Sequence, residues 1–216
     1  AMPADQAAGL RRKTGSALRI LHCINESADF VLQAAQAMTR QGLTPLVIDT
    51  RDRLFGADAA QTLFDWRQQL DRGQILALPL AAAQAWHAPG LYASAPGLAG
   101  ATRHYDVLLL DCTLADVASR VAGADEWACV SVGPDTLQAV YALIKTRAHS
   151  GGLSMFLTGE AAACERIRQA CLRFLGATVS AGLSCHHDEL AAITALAVRM
   201  AHEEPGCQSR YKTGHT

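Results

Sequence analysis

Tyr105-Asp106-Val107-Leu108-Leu109-Leu110-Asp111 and Trp127-Ala128-Cys129-Val130-Ser131-Val132 are the two stretches that decide the fold. The first is a short apolar run ending in an acid. The second is opened by Ala124-Asp125-Glu126 and followed by a helix-like stretch to Lys145. Neither alternates strictly between apolar and polar residues. Such runs suit strands buried on both faces, as in a parallel sheet with helices above and below. Asp111 then stands at the carboxyl end of a strand, where open α/β sheets place their ligands.

Composition sets the frame. A chain of 216 residues suits one domain with a large core. Half of the residues are hydrophobic and 18% are charged, which favours a compact chain. A net charge of -1 gives no footprint for nucleic acid. The seven cysteines include no CxxC pair, so they read as reduced thiols in a cytoplasmic protein. No run of eighteen apolar residues marks a membrane helix, and no signal-peptide core is expected at the start.

Working outward along the chain, residues 1–16 read as a leader, 17–203 as one α/β domain and 204–216 as a polar tail. Within the leader, Asp5 is a good N-cap and Arg11, Arg12 and Lys13 suit the C-terminal end of a short helix. So short a helix is marginal alone, and Gly9 weakens it by about 1 kcal/mol, so composition by itself favours a solvated leader. Residues 17–24 read as the first strand, Ser27 as the N-cap of a helix from 28 to 40, and 46–49 as the second strand, ending in Asp49. This is a βαβ unit, with its right-handed crossover.

In such a unit, the turn after the first strand is where a nucleotide-binding protein carries its phosphate loop. That loop needs glycines, so that backbone N–H groups wrap the phosphates, plus a lysine and a hydroxyl. Here the turn reads Asn25-Glu26-Ser27-Ala28-Asp29, with no glycine and no lysine. Two carboxylates beside a triphosphate cost several kcal/mol in a partly desolvated site. An ordinary strand-to-helix turn fits these residues better than an ATP cradle.

The second half repeats the alternation. Helices are expected over 57–70, from Ala81 to Trp86, from the Asp111 loop to Val121, and over 136–150, 161–175 and 189–202. Ala60, Leu63, Phe64 and Arg67 fall at helical spacing in the first of these. Cys164, Ile167, Cys171, Leu172 and Leu175 share one side of the 161–175 helix, with the cysteines as small core residues. Strands are expected over 74–80, 153–158 and 177–183. Trp86 and Tyr92 read as packing residues, and His87 and His104 lack metal-ligand spacing. Cys185-His186-His187-Asp188 reads as a polar loop with Asp188 capping the last helix, since no second Cys/His pair completes a zinc site. No GxSxG elbow and no paired carboxylates mark a hydrolase.

Several of these stretches carry a family resemblance. Ala124-Asp125-Glu126 before a strand, and Tyr141-Ala142-Leu143-Ile144-Lys145 in the helix behind it, resemble the MinD/ParA group of P-loop ATPases, where the strand reads ADEVVVVTTPEP and the helix carries YALIK. Asp111 matches the acid of the switch II strand. Arg173-Phe174-Leu175-Gly176 resembles a late helix of the flagellar-number regulators of the FlhG type. The leader Asp5-Gln6-Ala7-Ala8-Gly9-Leu10-Arg11 is similar to the DQAxxLR motif of that group. The resemblance covers residues 5–195. It implies a three-layer α/β fold of P-loop NTPase type, with a mostly parallel sheet and helices on both faces.

It also implies a regulator of flagellar number or placement whose leader helix binds and activates the signal-recognition-type GTPase FlhF, with Asp5, Gln6, Ala7, Leu10 and Arg11 as the contact residues. The Gln6 amide both donates and accepts, so it suits the positioning of a water or phosphate oxygen at a GTP site. Leu10 would anchor the helix, and Arg11 would reach a carboxylate or phosphate. Partners would include FlhF and other flagellar assembly proteins, and would recruit the protein to the cell pole or flagellar base.

Three departures change the expected chemistry. The family's KGGxGKT loop is replaced by the Asn25–Asp29 turn, its switch I DxD by Asp49-Thr50-Arg51, and the glycine expected after Asp111 is absent. The positions Asn25, Glu26, Ser27, Asp49 and Asp111 are therefore read as a degenerate, ATP-incompetent site with no cofactor and no catalytic residue. The polar tail also lacks the family's amphipathic membrane helix. Two alternatives stand beside this reading: a divergent ATPase holding ATP and magnesium through Asp49, Asp111 and backbone groups, and a leader-independent scaffold that pairs with an active ATPase of the same fold.

Overall fold

The computed structural model describes residues 18–55, 62–83, 100–118, 126–149 and 154–202. The strands are β1 (Arg19–Ile24), β2 (Pro45–Asp49), β3 (Ala77–Pro79), β4 (Val107–Asp111), β5 (Glu126–Val132), β6 (Met155–Gly159) and β7 (Leu183–His186). They form one sheet in the order β3-β2-β4-β1-β5-β6-β7, and every neighbouring pair is parallel. The helices are α1 (Ala28–Arg40), α2 (Leu63–Asp71), α3 (Leu80–Ala83), α4 (Leu114–Ala118), α5 (Leu137–His149), α6 (Ala161–Phe174), α7 (Ala177–Ala181) and α8 (Glu189–His202). A single 3₁₀ turn, Pro134–Thr136, leads into α5.

Two apolar layers sandwich the sheet. On one face α1 and α8 cover Leu21, Cys23, Val47, Leu109 and Cys129 through Phe30, Val31, Met38, Ile193, Leu196 and Met200. On the other face α2, α4, α5 and α6 supply Trp66, Val117, Ile144 and Ile167 against Ile20, Ile48, Leu108 and Val130. Both faces of β1, β2 and β4 are therefore buried, which accounts for their uninterrupted apolar sequences. This is a three-layer α/β fold with an all-parallel sheet among the described strands, with β4 and β1 at its centre.

The first βαβ unit follows its sequence closely. Every expected core residue of α1 is buried. The helix ends where Gly42 takes φ +82, letting Gly42 N donate to Thr39 O and Leu43 N to Met38 O. Ser27 holds the N-cap position, but its side chain makes no capping hydrogen bond.

Other segments depart from expectation. Of the strand expected over 177–183, only Leu183 lies in a strand. Gly176, at φ +98, turns the chain out of α6 into the short helix α7, and the Ser180 hydroxyl donates to Arg168 O. The edge strand is instead Leu183–His186, paired with β6 from Met155 to Thr158. Its polar Ser184, Cys185 and His186 suit a half-buried edge, and they disguised it as a loop. Cys185 and His186 thus lie in β7, while Asp188 does cap α8, accepting from Ala191 N at 2.6 Å.

Helix α2 starts later than its apolar spacing implies. Thr62 caps it, and a reciprocal box with Asp65 fixes that start. Trp66 and Leu70 are the buried residues of α2, and Phe64 is 72% exposed. Leu63 is exposed as well, and Trp66 meets Phe55 edge-on at 5.3 Å. On α6, Leu172 likewise lies outside the buried stripe that Cys164, Ile167 and Cys171 share. The strand expected over 74–80 shrinks to Ala77–Pro79, with α3 beginning directly at Leu80. Trp86, His87 and Tyr92 lie outside the described residues.

Candidate functional site

The order of the central strands brings three tips together. Asp49 of β2 pairs in register with Asp111 of β4, and Asp111 pairs with Cys23 of β1, two residues before Asn25. Asn25, Glu26, Asp49 and Asp111 are therefore assembled at the carboxyl end of the sheet, as the sequence implies. Asp49 and Asp111 are fully buried. Buried carboxylates need partners, and the chain itself supplies them.

Asp49 organises the loop that follows β2. Its Oδ1 accepts from Arg53 N at 3.1 Å and its Oδ2 from Leu54 N at 2.8 Å. Asp52, at φ 53, occupies the left-handed region that lets so tight a loop close. Thr50 ties the same loop to β4, its hydroxyl donating to Asp111 O. The loop so folded turns the Arg53 side chain back over the strand tips.

Arg53 is the centre of the site. Its Nε donates to Asp111 Oδ2 at 2.8 Å and its Nη2 to Asp111 Oδ1 at 2.6 Å, a bidentate ion pair. Nη2 also donates to Asn25 O, and Nη1 to Glu26 O, each at 2.8 Å. Its hydrogen bond to the Asp111 side chain pushes the guanidinium pKa further up, so the charge is permanent. Arg51 adds a second contact to the turn, Nη1 donating to Asn25 O at 2.9 Å. Its pairing with Glu26 is looser, at 3.4 Å, and the Glu26 side chain is 92% exposed.

The polarity of the turn is the chemically decisive feature. A phosphate loop aims backbone N–H groups inward and receives an anion. Here the turn aims the carbonyl oxygens of Asn25 and Glu26 inward, and they receive a cation. Ser27 N, a donor a phosphate would need, is already taken by Asn25 Oδ1 at 2.8 Å. With two buried carboxylates added, the cradle matches a guanidinium. Asp49 and Asp111, which the ATPase alternative assigns to nucleotide, are both engaged by the chain's own groups.

Sequence reasoning reached Asn25, Glu26, Asp49, Asp111 and Arg51, but missed Arg53. The signal was present: a second arginine two residues past a degenerate switch acid, within reach of an unpaired strand-tip carboxylate. Ser27 and Asp29 sit at the exposed start of α1. Asp5, Gln6, Ala7, Leu10 and Arg11 lie outside the described residues. Among the described residues no group of three His, Cys, Asp or Glu side chains is arranged to hold a metal ion. No helix among them is long and apolar enough to cross a membrane.

No family model matches the chain, and no curated protein matches it. Among solved structures, one described as "Partition Protein" is similar at 11% identity and a TM-score of 0.38, over 91% of this chain and 70% of that one. A likeness that distant assigns no activity to this chain.

Proposed function

We propose that this protein is a regulator of flagellar assembly that binds and stimulates an FlhF-type GTPase through its leader, and that its own nucleotide site is permanently filled by Arg53. The observation that carries this reading is a conjunction within one chain. A leader of the DQAxxLR type, Asp5 to Arg11, precedes an α/β domain whose phosphate-loop turn faces a guanidinium with its carbonyls. A protein so built presents its leader without an ATP cycle to gate it. The domain then serves to position the leader and to contact other assembly proteins, at the cell pole or flagellar base.

Within this reading Gln6 acts at the partner's GTP site, where a side-chain amide orients water or a phosphate oxygen. Leu10 docks in an apolar groove and Arg11 meets a carboxylate or phosphate. The test is GTP hydrolysis by purified FlhF with and without this protein, in the absence of ATP. Stimulation without ATP supports the reading. A stimulation that appears only with ATP returns the site to the ATPase alternative, and none at all leaves the scaffold alternative.

A further inference from the structure

Beneath the same strand tips, on the opposite face of the sheet from Asp111, three polar side chains stand in line. His22 lies in β1, Glu126 opens β5, and Cys112 directly follows β4. Parallel register puts them on one face, since Ile20 pairs with Glu126 and His22 with Leu110, and Cys112 N donates to Cys23 O at 3.0 Å. His22 Nε2 is 3.0 Å from Glu126 Oε2, and Cys112 Sγ is 3.9 Å from His22 Nδ1. All three are buried, with Cys112 4% exposed at the outer end of the line.

The arrangement is a thiol, a base and an orienting carboxylate. In the tautomer with its proton on Nε2, His22 donates to Glu126 and Nδ1 is an acceptor for the Cys112 thiol, which also lies 3.8 Å from Cys23 O. A carboxylate beside an imidazole favours the imidazolium, and an imidazolium beside a thiol favours the thiolate. Two further charged groups lie close by. Arg147 of α5 donates to Glu126 O at 3.4 Å, and Asp111 is paired with Arg53. Burial holds the remaining described cysteines toward the thiol form. Burial pushes the Cys23 thiol well up and that of Cys129 up to about 12, both on the opposite face. Cys164 and Cys171 are raised by burial too, and Cys185 is pushed up to about 11.

We infer that Cys112 is a peroxide-reactive modification site, with His22 as its base and Glu126 as the residue that positions His22. The Cys112 thiol proton passes to His22 Nδ1. The thiolate sulfur attacks one oxygen of hydrogen peroxide; the O–O bond breaks, an S–O bond forms, and sulfur is oxidised to the sulfenic acid as the peroxide is reduced. The departing hydroxide takes the proton from His22 and leaves as water. The small exposure of Cys112, just past the end of β4, favours a small oxidant over a bulky disulfide.

The full-length protein is treated with hydrogen peroxide in the presence of dimedone, and each cysteine is quantified by peptide mass mapping. Cys112 is expected to be trapped at least about tenfold faster than Cys23 or Cys129, with a pH–rate midpoint below the value of about 8.5 for an unperturbed thiol. His22→Asn is expected to slow Cys112 by at least about tenfold and to move the midpoint to 8.5 or above. Glu126→Gln, which keeps the shape of the pair, should shift both in the same direction if His22→Asn does not fold. Trapping of Cys112 no faster than of Cys129 overturns the assignment. So does a wild-type midpoint at or above about 8.5, or a folded variant of either kind that keeps the parent rate and midpoint.

Discussion

Arg53 grips both carboxylate oxygens of Asp111, at 2.8 Å and 2.6 Å, and fills the turn that follows β1. Asp111 is fully buried while Arg53 keeps 18% of its side chain exposed. The pair therefore closes the carboxyl end of the sheet with a charge that cannot be titrated away.

Removing the guanidinium leaves a buried, unpaired carboxylate. Loss of one partner of a buried pair costs about 3–5 kcal/mol, and the partial exposure of Arg53 lowers this, so Arg53→Met should destabilise the fold by about 2–4 kcal/mol in urea unfolding. Arg51→Met should cost less than about 1 kcal/mol, because Glu26 is solvated. In a double-mutant cycle with Asp111→Asn, the two losses should fall short of additivity. An Arg53→Met cost no larger than that of Arg51→Met would show that the guanidinium is not what holds the strand tips.

The Asn25 and Glu26 carbonyls turn inward to Arg53, and Ser27 N is taken by Asn25 Oδ1, so the turn is not arranged as a phosphate cradle. Mg-ATP at millimolar concentration should leave the melting temperature unchanged, whereas a ligand at a hundred times its Kd stabilises by about 2.7 kcal/mol. Sedimentation with and without Mg-ATP should likewise give one mass. An upward thermal shift, or a dimer formed only with ATP, contradicts the filled site.

How far the sequence foretold this can be read from particular residues. The central strands and α1 were legible because burial on both faces and a complete apolar stripe leave one solution for those segments. The far edge was not. Leu183-Ser-Cys-His is too polar to advertise a strand, and Ala-Thr-Val-Ser-Ala before it is apolar enough to imitate one. The capping box at Thr62 and Asp65 outweighed the apolar spacing of Leu63 and Phe64. At the site, the strand-tip acids follow from strand ends alone, whereas Arg53 depends on the loop that Asp49 folds.

His186 offers a pH test of the edge strand. It stacks on Phe156 at 5.9 Å, and burial, with His187 beside it, lowers its pKa from the ordinary histidine value. A group whose folded pKa is depressed stabilises the fold fully above its unfolded pKa of about 6.5, and that contribution is lost as pH falls through the folded value. The NMR midpoint of His186 should lie below 6.5, and the stability of the parent should fall more steeply on acidification below 6.5 than that of His186→Gln. A midpoint at or above about 6.5 contradicts this placement.

Under the proposed function, variants of the leader should separate binding from stimulation. Leu10→Asp removes an apolar anchor and forces a charge to be desolvated, at a combined cost of about 2–4 kcal/mol in binding, so it should abolish association with GTP-loaded FlhF. Gln6→Ala should retain that association. A peptide spanning Ala4 to Lys13 should stimulate on its own, more weakly than the full chain.

The most direct measurement is the GTP hydrolysis rate of FlhF with the parent protein and with Gln6→Ala, both without ATP. The account predicts stimulation by the parent and none by Gln6→Ala, with circular dichroism showing both proteins equally folded. Equal stimulation by the two proteins would contradict the activator assignment.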